Sequence, residues 1–357
     1  MKIKSVFGGY TDQLQVVIDN SKSRFAPLWY PKYFGFAPAQ NQLTFTQAIG
    51  ASRIEAAASV VNRDSQTPLR SRPALEKMSG EIPAIKEAFK MKESDYRDFL
   101  SLQALNVDDA TKRGQILDFI FNDTKKVGDS AHKRLDYMAL EAISTGKVTL
   151  TTTNNPDGLV VAEVDLLMPS ANKANGAITW ATSSTATPLT DIETFVQKGQ
   201  DVGVTFAKIL MSRALWLKFK KCKEVIDSLV SYNQLQKGAA IATLDKVNEY
   251  LQANLLPIIE IVDETIGIEK DGVIGSVNPF NQDTAVFIPN GRLGVIKNAV
   301  AIEQLQPVAN VTYATFNRAL ISKWSENEPF GEWTKVEFNA FPALEAIDQI
   351  FLLKGVF

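Results

Sequence analysis

The sequence predicts an α+β fold built on one very long helix, and three observations point there. Apolar residues recur in threes and fours at Leu117, Ile120, Phe121, Val127, Ala131, Leu135, Met138, Ala139, Ala142 and Ile143, the spacing of one helical face turned to a core. The pattern stops at Gly146, and Val148, Leu150 and Thr152 then alternate with Thr149, Thr151 and Thr153 as a strand does. Ahead of the helix, Pro27, Pro31 and Pro38 punctuate a segment too aromatic to lie in water.

The helix is predicted over 107–144. Asn106 stands at the N-cap position, and Asp108 and Asp109 sit in the first turn, where carboxylates complement the helix dipole. Gly146 suits the left-handed residue past the end. At roughly 1.5 Å per residue the helix spans about 57 Å, against an average of ~10–14 residues in globular proteins. Gly114 and Gly128 are weak points, and a kink is expected near Gly128-Asp129. A girder of this kind favours a building block over an ordinary α+β enzyme. The turn signal Asn154-Asn155-Pro156-Asp157-Gly158 joins the first strand to Val160, Ala162, Val164 and Leu166, which alternate with Val161, Glu163, Asp165 and Leu167. Together they predict a β-hairpin over 147–168.

Phe7, Tyr10, Phe25, Trp29, Tyr30, Tyr33, Phe34 and Phe36 crowd the leading segment. Burying each ring removes ~150–250 Å² from water, so the segment must cover its own core or a neighbouring subunit. The neighbour is preferred here. Residues 51–91 then turn polar and charged, from Arg63 through Arg70 and Arg72 to Pro73, with Gly80 and Pro83 beyond, as in a long protruding loop or ribbon. Ala84–Met91 within it is strand-like, and a short helix follows over Glu93–Ala104.

Beyond the hairpin, Pro188 opens a helix in which Thr190 and Glu193 have capping-box spacing. Val202–Phe206 reads as a buried strand, and Lys208–Leu229 as a basic amphipathic helix carrying Trp216. Its Lys218, Lys220, Lys221 and Lys223 suit a solvated face better than a nucleic-acid reader. Leu244–Leu255 is a helix, Pro257–Ile268 a strand followed by a Glu269–Gly272 turn, and Thr284–Ile288 a strand running into Pro289-Asn290-Gly291. The apolar end Ile350–Leu353 is expected in a sheet.

The 357 residues allow two or three domains, with 45% hydrophobic and 22% charged residues as in ordinary globular proteins. A net charge of −2 provides no basic field for nucleic acid. No secretory leader and no membrane span are apparent, and Cys222 alone permits no intrachain disulfide, so a soluble chain folded in a cytoplasm is expected. His132 is the only histidine, which excludes a two-histidine zinc motif and leaves little room for a Ser-His-Asp or Cys-His arrangement. Cys222, flanked by Lys220, Lys221 and Lys223, fits a small buried residue better than an activated thiolate. No phosphate-binding loop, dinucleotide fingerprint or nucleophile elbow is present. Asp263 and Glu264 are the best candidates for a catalytic carboxylate pair, although solvated residues at a strand end suit them better. No cofactor or metal is expected.

A resemblance can now be stated. Arg134–Ala142 running into Thr145-Gly146-Lys147-Val148-Thr149, Ile178-Thr179-Trp180 through Pro188 to Asp191-Ile192, Phe206 with Trp216, Phe287–Arg292 with Leu293-Gly294, Trp324, and Phe341-Pro342 together resemble the major capsid proteins of lambda-type tailed bacteriophages. The likeness covers about Ile82 to the end, and its motifs are specific through their order. It implies the tailed-phage major capsid fold, with an N-terminal arm (1–50), an extended loop (51–91), and a peripheral domain (92–184) holding the spine helix (106–145) and the hairpin as part of a long sheet. An axial domain (185–325) and a C-terminal return to the peripheral domain (326–357) complete the fold. Phe25, Trp29, Tyr30, Tyr33 and Phe34 would form the arm interface with another subunit, and Arg63, Arg70, Arg72 and Glu76 that of the loop. Hexamers and pentamers would close an icosahedral shell around double-stranded DNA without sequence-specific binding, with scaffolding, portal and possible decoration proteins as partners. The chain would occupy the virion, and the host cytoplasm before assembly. An encapsulin-type nanocompartment shell protein is the alternative within this fold, and a carboxylate-dependent hydrolase the alternative outside it.

Overall fold

The computed structural model describes residues 15, 18, 19, 23, 25–49, 76–104, 109–158, 160–232, 242–328 and 330–357. In chain order the strands are β1 (Phe34–Phe36), β2 (Thr44–Ile49), β3 (Glu76–Glu81), β4 (Ala84–Met91), β5 (Lys147–Leu150), β6 (Val161–Asp165), β7 (Lys173–Asn175), β8 (Phe206–Ser212), β9 (Ile258–Val262), β10 (Ile266–Lys270), β11 (Val273–Val277), β12 (Thr284–Pro289), β13 (Gly294–Ala299), β14 (Thr312–Phe316), β15 (Ala319–Asn327), β16 (Phe330–Leu344) and β17 (Phe351–Lys354). The helices are α1 (Glu93–Ala104), α2 (Asp109–Thr145), α3 (Pro188–Asp201), α4 (Arg213–Phe219), α5 (Lys223–Tyr232), α6 (Leu244–Ala253) and α7 (Ile302–Leu305).

The girder is α2, a single helix of 37 residues and about 55 Å. The expected cap Asn106 and Asp108 lie outside the described residues. Helix α2 runs through Gly128 as one element, and the absent side chain makes room for aromatics: a Cβ there would stand 2.9 Å from Phe25 and 3.3 Å from Phe316. At the far end Gly146 takes φ +76° and its N–H donates to the Ala142 carbonyl at 2.9 Å. A β-carbon is disfavoured in that conformation, so the helix stops where glycine permits the chain to reverse into β5.

One face of α2 packs on a six-stranded sheet ordered β1-β13-β16-β15-β14, with β4 also paired to β16. The hairpin β5–β6 forms as predicted, but it is a two-stranded sheet of its own and not part of a longer one. Ala84–Met91, placed by sequence at the end of the protruding loop, is instead β4 within the six-stranded sheet. The antiparallel ribbon β2–β3, paired from Thr44↔Glu81 to Ile49↔Glu76, is a separate two-stranded sheet whose Phe45 and Met78 are buried in the main core.

A second sheet of five strands runs β7-β17-β12-β8-β9. Alternate residues of a strand face opposite sides, and here both sides are apolar. Val286 and Ile288 of β12, Leu210 of β8 and Leu352 of β17 join the core under α2. Ala285, Phe287, Ile209, Met211, Phe351 and Leu353 from the same strands join a second core with α3, α4, α5 and α6. The sheet is a wall shared by both cores, so the two cannot shift independently without breaking apolar contacts.

The two sheets draw on segments that interleave along the chain. Residues 294–325, placed by the resemblance in the axial domain (185–325), supply β13, β14 and most of β15 of the six-stranded sheet. The last strand, β17, lies in the second sheet, and the return to the first is made by β16. Locally, Lys208–Leu229 is not one helix but most of β8 followed by α4 and α5, and Val202–Phe206 lies ahead of or at the start of β8. The run Pro257–Ile268 splits into β9 and β10.

The tryptophan-to-helix motif has a structural cause. Buried Trp180 donates its indole N–H to Asp191 Oδ2 at 2.8 Å, and Asp191 Oδ1 accepts from the Ala177 N–H at 3.0 Å. Gly355 is where the chain crosses the indole face, since a Cβ there would lie 2.6 Å from the ring. Neither Thr187 nor the expected Thr190–Glu193 box caps α3. Glu224 of α5 does so, accepting from the Leu189 N–H (2.7 Å), the Thr190 N–H (3.3 Å) and the Thr190 hydroxyl (2.6 Å). Removing these acceptors with Glu224→Ala is expected to cost about 1–2 kcal/mol, and Glu224→Gln less. Urea titration followed by circular dichroism measures it; a midpoint unmoved by Glu224→Ala would leave the cap without energetic weight.

Candidate assembly surface

Contact between copies depends first on which side chains the subunit keeps for itself. Phe25, Trp29, Tyr30, Tyr33 and Phe34 are all buried within the chain, Trp29 at 2% and Tyr30 at 1% exposure. The expectation that they cover a neighbour is therefore corrected, because rings this deep have almost no area left to offer. Phe25 stacks on Phe316 with centroids 3.8 Å apart, and Tyr30 meets Phe36 edge-on.

The polar groups of α2 hold this segment in place. Asp136 Oδ1 accepts the N–H groups of Trp29 (2.9 Å) and Tyr30 (2.7 Å). Asp129 Oδ1 accepts that of Ala26 at 2.8 Å, and the Lys133 ammonium donates to the Pro27 carbonyl at 3.0 Å. Lys133 also lies 3.5 Å from Asp136 Oδ2, while burial raises the Asp136 pKa. His132 Nε2 lies 3.2 Å from the Phe316 carbonyl, which can only accept, so that nitrogen carries the proton. Nδ1 then accepts from the Tyr30 hydroxyl at 3.1 Å. Surrounded by Phe316 and Phe338, His132 is held neutral, its pKa pushed down to about 4 by burial. Farther along, the Tyr33 hydroxyl donates to Glu260 Oε2 of β9 at 3.3 Å, which ties the arm to the second sheet.

The candidates for chemistry are dispersed. Asp263 pairs with Arg213 at 2.6 Å, while Glu264 lies 3.8 Å from Lys133 on α2. Cys222 is buried with its thiol pushed up to about 11 by desolvation, the inert residue expected. Among the described residues no cluster of three or more potential metal ligands occurs, and no helix is long and apolar enough to cross a membrane. Of the loop residues, Arg63, Arg70 and Arg72 lie outside the described residues. Glu76 opens β3 opposite Ile49. The residues that sequence reasoning missed are Asp136, Asp129 and Glu224. Their partners are up to 107 positions away, and no local pattern announces them.

The family description phage major capsid protein E matches residues 33–354. Curated proteins yield no match. Among solved structures, a candidate capsid protein of a prophage of E. coli CFT073 superposes with a TM-score of 0.59 at 16% identity, covering 96% of this chain and 98% of that one. A phage-related protein from Bordetella bronchiseptica RB50 does so with 0.52 at 12%, covering 95% and 96%. At these identities the structural likeness is one of fold, and it is the tailed-phage capsid fold that the two-core body displays. The match running from β1 to the end of β17 decides the family: the chain belongs to the phage major capsid protein E family and is a structural subunit of a capsid shell.

Proposed function

We propose that the chain tiles an icosahedral shell as hexamers and pentamers, enclosing double-stranded DNA through a wall of near-neutral charge that makes no sequence-specific contact. The core of α3, α4, α5 and α6 serves as the axial domain, and α2 with the six-stranded sheet as the peripheral domain. The ribbon β2–β3 is the root of the extended loop that reaches an adjacent subunit through Glu76, Arg63, Arg70 and Arg72. Scaffolding and portal proteins direct closure, which takes place in the host cytoplasm.

The observation that supports this most is the ribbon, a two-stranded sheet that joins neither larger sheet of its own subunit. Many modest contacts of this kind, repeated by symmetry, add up to a stable shell without one strong bond. Coexpression with the scaffolding partner and negative-stain microscopy should yield closed particles; a chain that stays monomeric at high concentration would defeat the proposal. Reversing the charge of Arg63, Arg70 and Arg72 together should lower particle yield while circular dichroism stays unchanged. Normal shells from that variant would remove the arginines from the interface.

A further inference from the structure

The chain contains Asn-Gly twice, at Asn175-Gly176 and Asn290-Gly291, and the fold treats the two pairs differently. An asparagine side chain ahead of glycine can reach the next backbone nitrogen, because glycine has no β-carbon to crowd the approach and turns freely about its own bonds. That nitrogen is a weak nucleophile while resonance with the carbonyl holds its lone pair, so it attacks only as its proton leaves. An N–H that already donates to a buried carbonyl resists the loss, since the hydrogen bond would go with the proton.

Asn175 and Asn290 are both exposed, so access to water does not separate them. Their glycines do. Gly176 is buried just past β7, and its N–H donates to the Lys354 carbonyl at 2.9 Å. A Cβ there would stand 2.6 Å from Asp191 Oδ2 and 3.3 Å from Trp180 Nε1, so the backbone is hemmed in. Gly291 is exposed, takes φ +98° and has open space where a Cβ would be. Among the described residues its N–H has no acceptor. The turn is nevertheless pinned on both sides of this open dipeptide. Pro289 is paired with Phe206 of β8. The Leu293 N–H donates to the Tyr33 carbonyl at 2.8 Å, and the Leu293 carbonyl accepts from the Glu345 and Ala346 N–H groups at 3.0 and 2.9 Å.

We propose that Asn290 is a site of spontaneous deamidation in the folded subunit and that Asn175 is not. The Gly291 nitrogen forms a bond to Asn290 Cγ, the bond from Cγ to the side-chain nitrogen breaks, and ammonia leaves carrying the proton that Gly291 gave up. Water then opens the cyclic imide at either carbonyl. One product is aspartate, and the other is isoaspartate, in which the main chain runs through Cβ. Water is the only co-reactant, and the chemistry needs only the folded subunit. Either product adds a negative charge beside the exposed Arg292. Isoaspartate also lengthens the connection from β12 in the five-stranded sheet to β13 in the six-stranded sheet. The flanking anchors at Pro289 and Leu293 hold both strands through the change.

Incubation of the purified full-length chain in mildly alkaline buffer tests it. Ion-exchange chromatography should show a more acidic form accumulating with time while circular dichroism stays native. Peptide mapping by mass spectrometry should place aspartate and isoaspartate at position 290, with conversion there several-fold ahead of that at Asn175. In urea, where Gly176 loses its bond to Lys354, the two sites should react at similar rates. Asn290→Gln, whose longer side chain closes the ring far more slowly, should not give the early acidic form. Equal conversion of Asn175 and Asn290 in the folded chain would overturn the proposal. So would an intact Asn290 in the folded chain at a time when the same residue has reacted in urea.

Discussion

Deleting residues 1–36 is expected to unfold the subunit, not merely to stop it assembling. The deletion removes Phe25, Trp29, Tyr30, Tyr33 and Phe34, all inside the main core. At ~150–250 Å² per ring and ~25 cal/mol per Å², each contributes up to about 4–6 kcal/mol, an upper bound. Five such rings exceed the roughly 5–15 kcal/mol by which a folded domain is stable at all. Asp136 and Asp129 would lose the backbone N–H groups they now accept from, leaving Asp136 buried beside Lys133 alone. The truncated chain should therefore show no cooperative thermal transition and should collect in inclusion bodies. A soluble truncation with native circular dichroism and a sharp transition, failing only to form particles, would show that the rings serve a neighbour after all. Unfolding of the truncated chain would instead assign these rings to the subunit's own core.

How much of this was legible in the sequence depended on how local the cause was. Helix α2, its stop at Gly146, α1 and β4 follow from periodicity and caps within a few residues, and their limits agree with expectation to within a residue or two. The order of motifs from Arg134 to Pro342 carried the family. What failed were features decided by partners distant in sequence. Ile209-Leu210-Met211 is apolar on both faces because β8 sits in a wall between two cores, and a short continuous apolar run does not distinguish strand from helix. The crossing of β13–β15 back to the first sheet is likewise a pairing no local pattern records. The polar, proline-punctuated stretch 63–73 lies outside the described residues, and the ribbon joins β2 of the expected arm to β3 of the expected loop. The burial of the arm was not anticipated, since aromatic density shows that a segment must cover something but not what lies beneath.

Acid should weaken the subunit, and His132 should account for most of the loss between neutral pH and about pH 4. In the unfolded chain its imidazole titrates near 6.5, whereas in the fold burial holds it down to about 4. The unfolded state therefore binds the proton first, and stability falls as pH drops from 6.5 toward 4, then levels below that. A separation of about two and a half units corresponds to about 3 kcal/mol. The structural cause is specific: a proton on Nδ1 would displace the Tyr30 hydroxyl as donor and place a charge among Phe316, Phe338 and the stacked Tyr30 ring. The charges facing this pocket are few. Asp129 favours the protonated form, though less strongly than burial opposes it. Asp136, one turn along α2, acts in the other direction. Its raised pKa contributes stability at low pH that is lost as pH rises, so its protonation offsets part of the His132 loss at the acid end. Chemical denaturation of the soluble subunit at pH 7 and pH 4.5, beside His132→Gln, separates the two. The variant starts less stable because Tyr30 and Phe316 are less well bonded, but its stability should decline far less over the same interval. Parallel declines in the two proteins would assign the acid sensitivity elsewhere and release the His132–Tyr30 pair from that role.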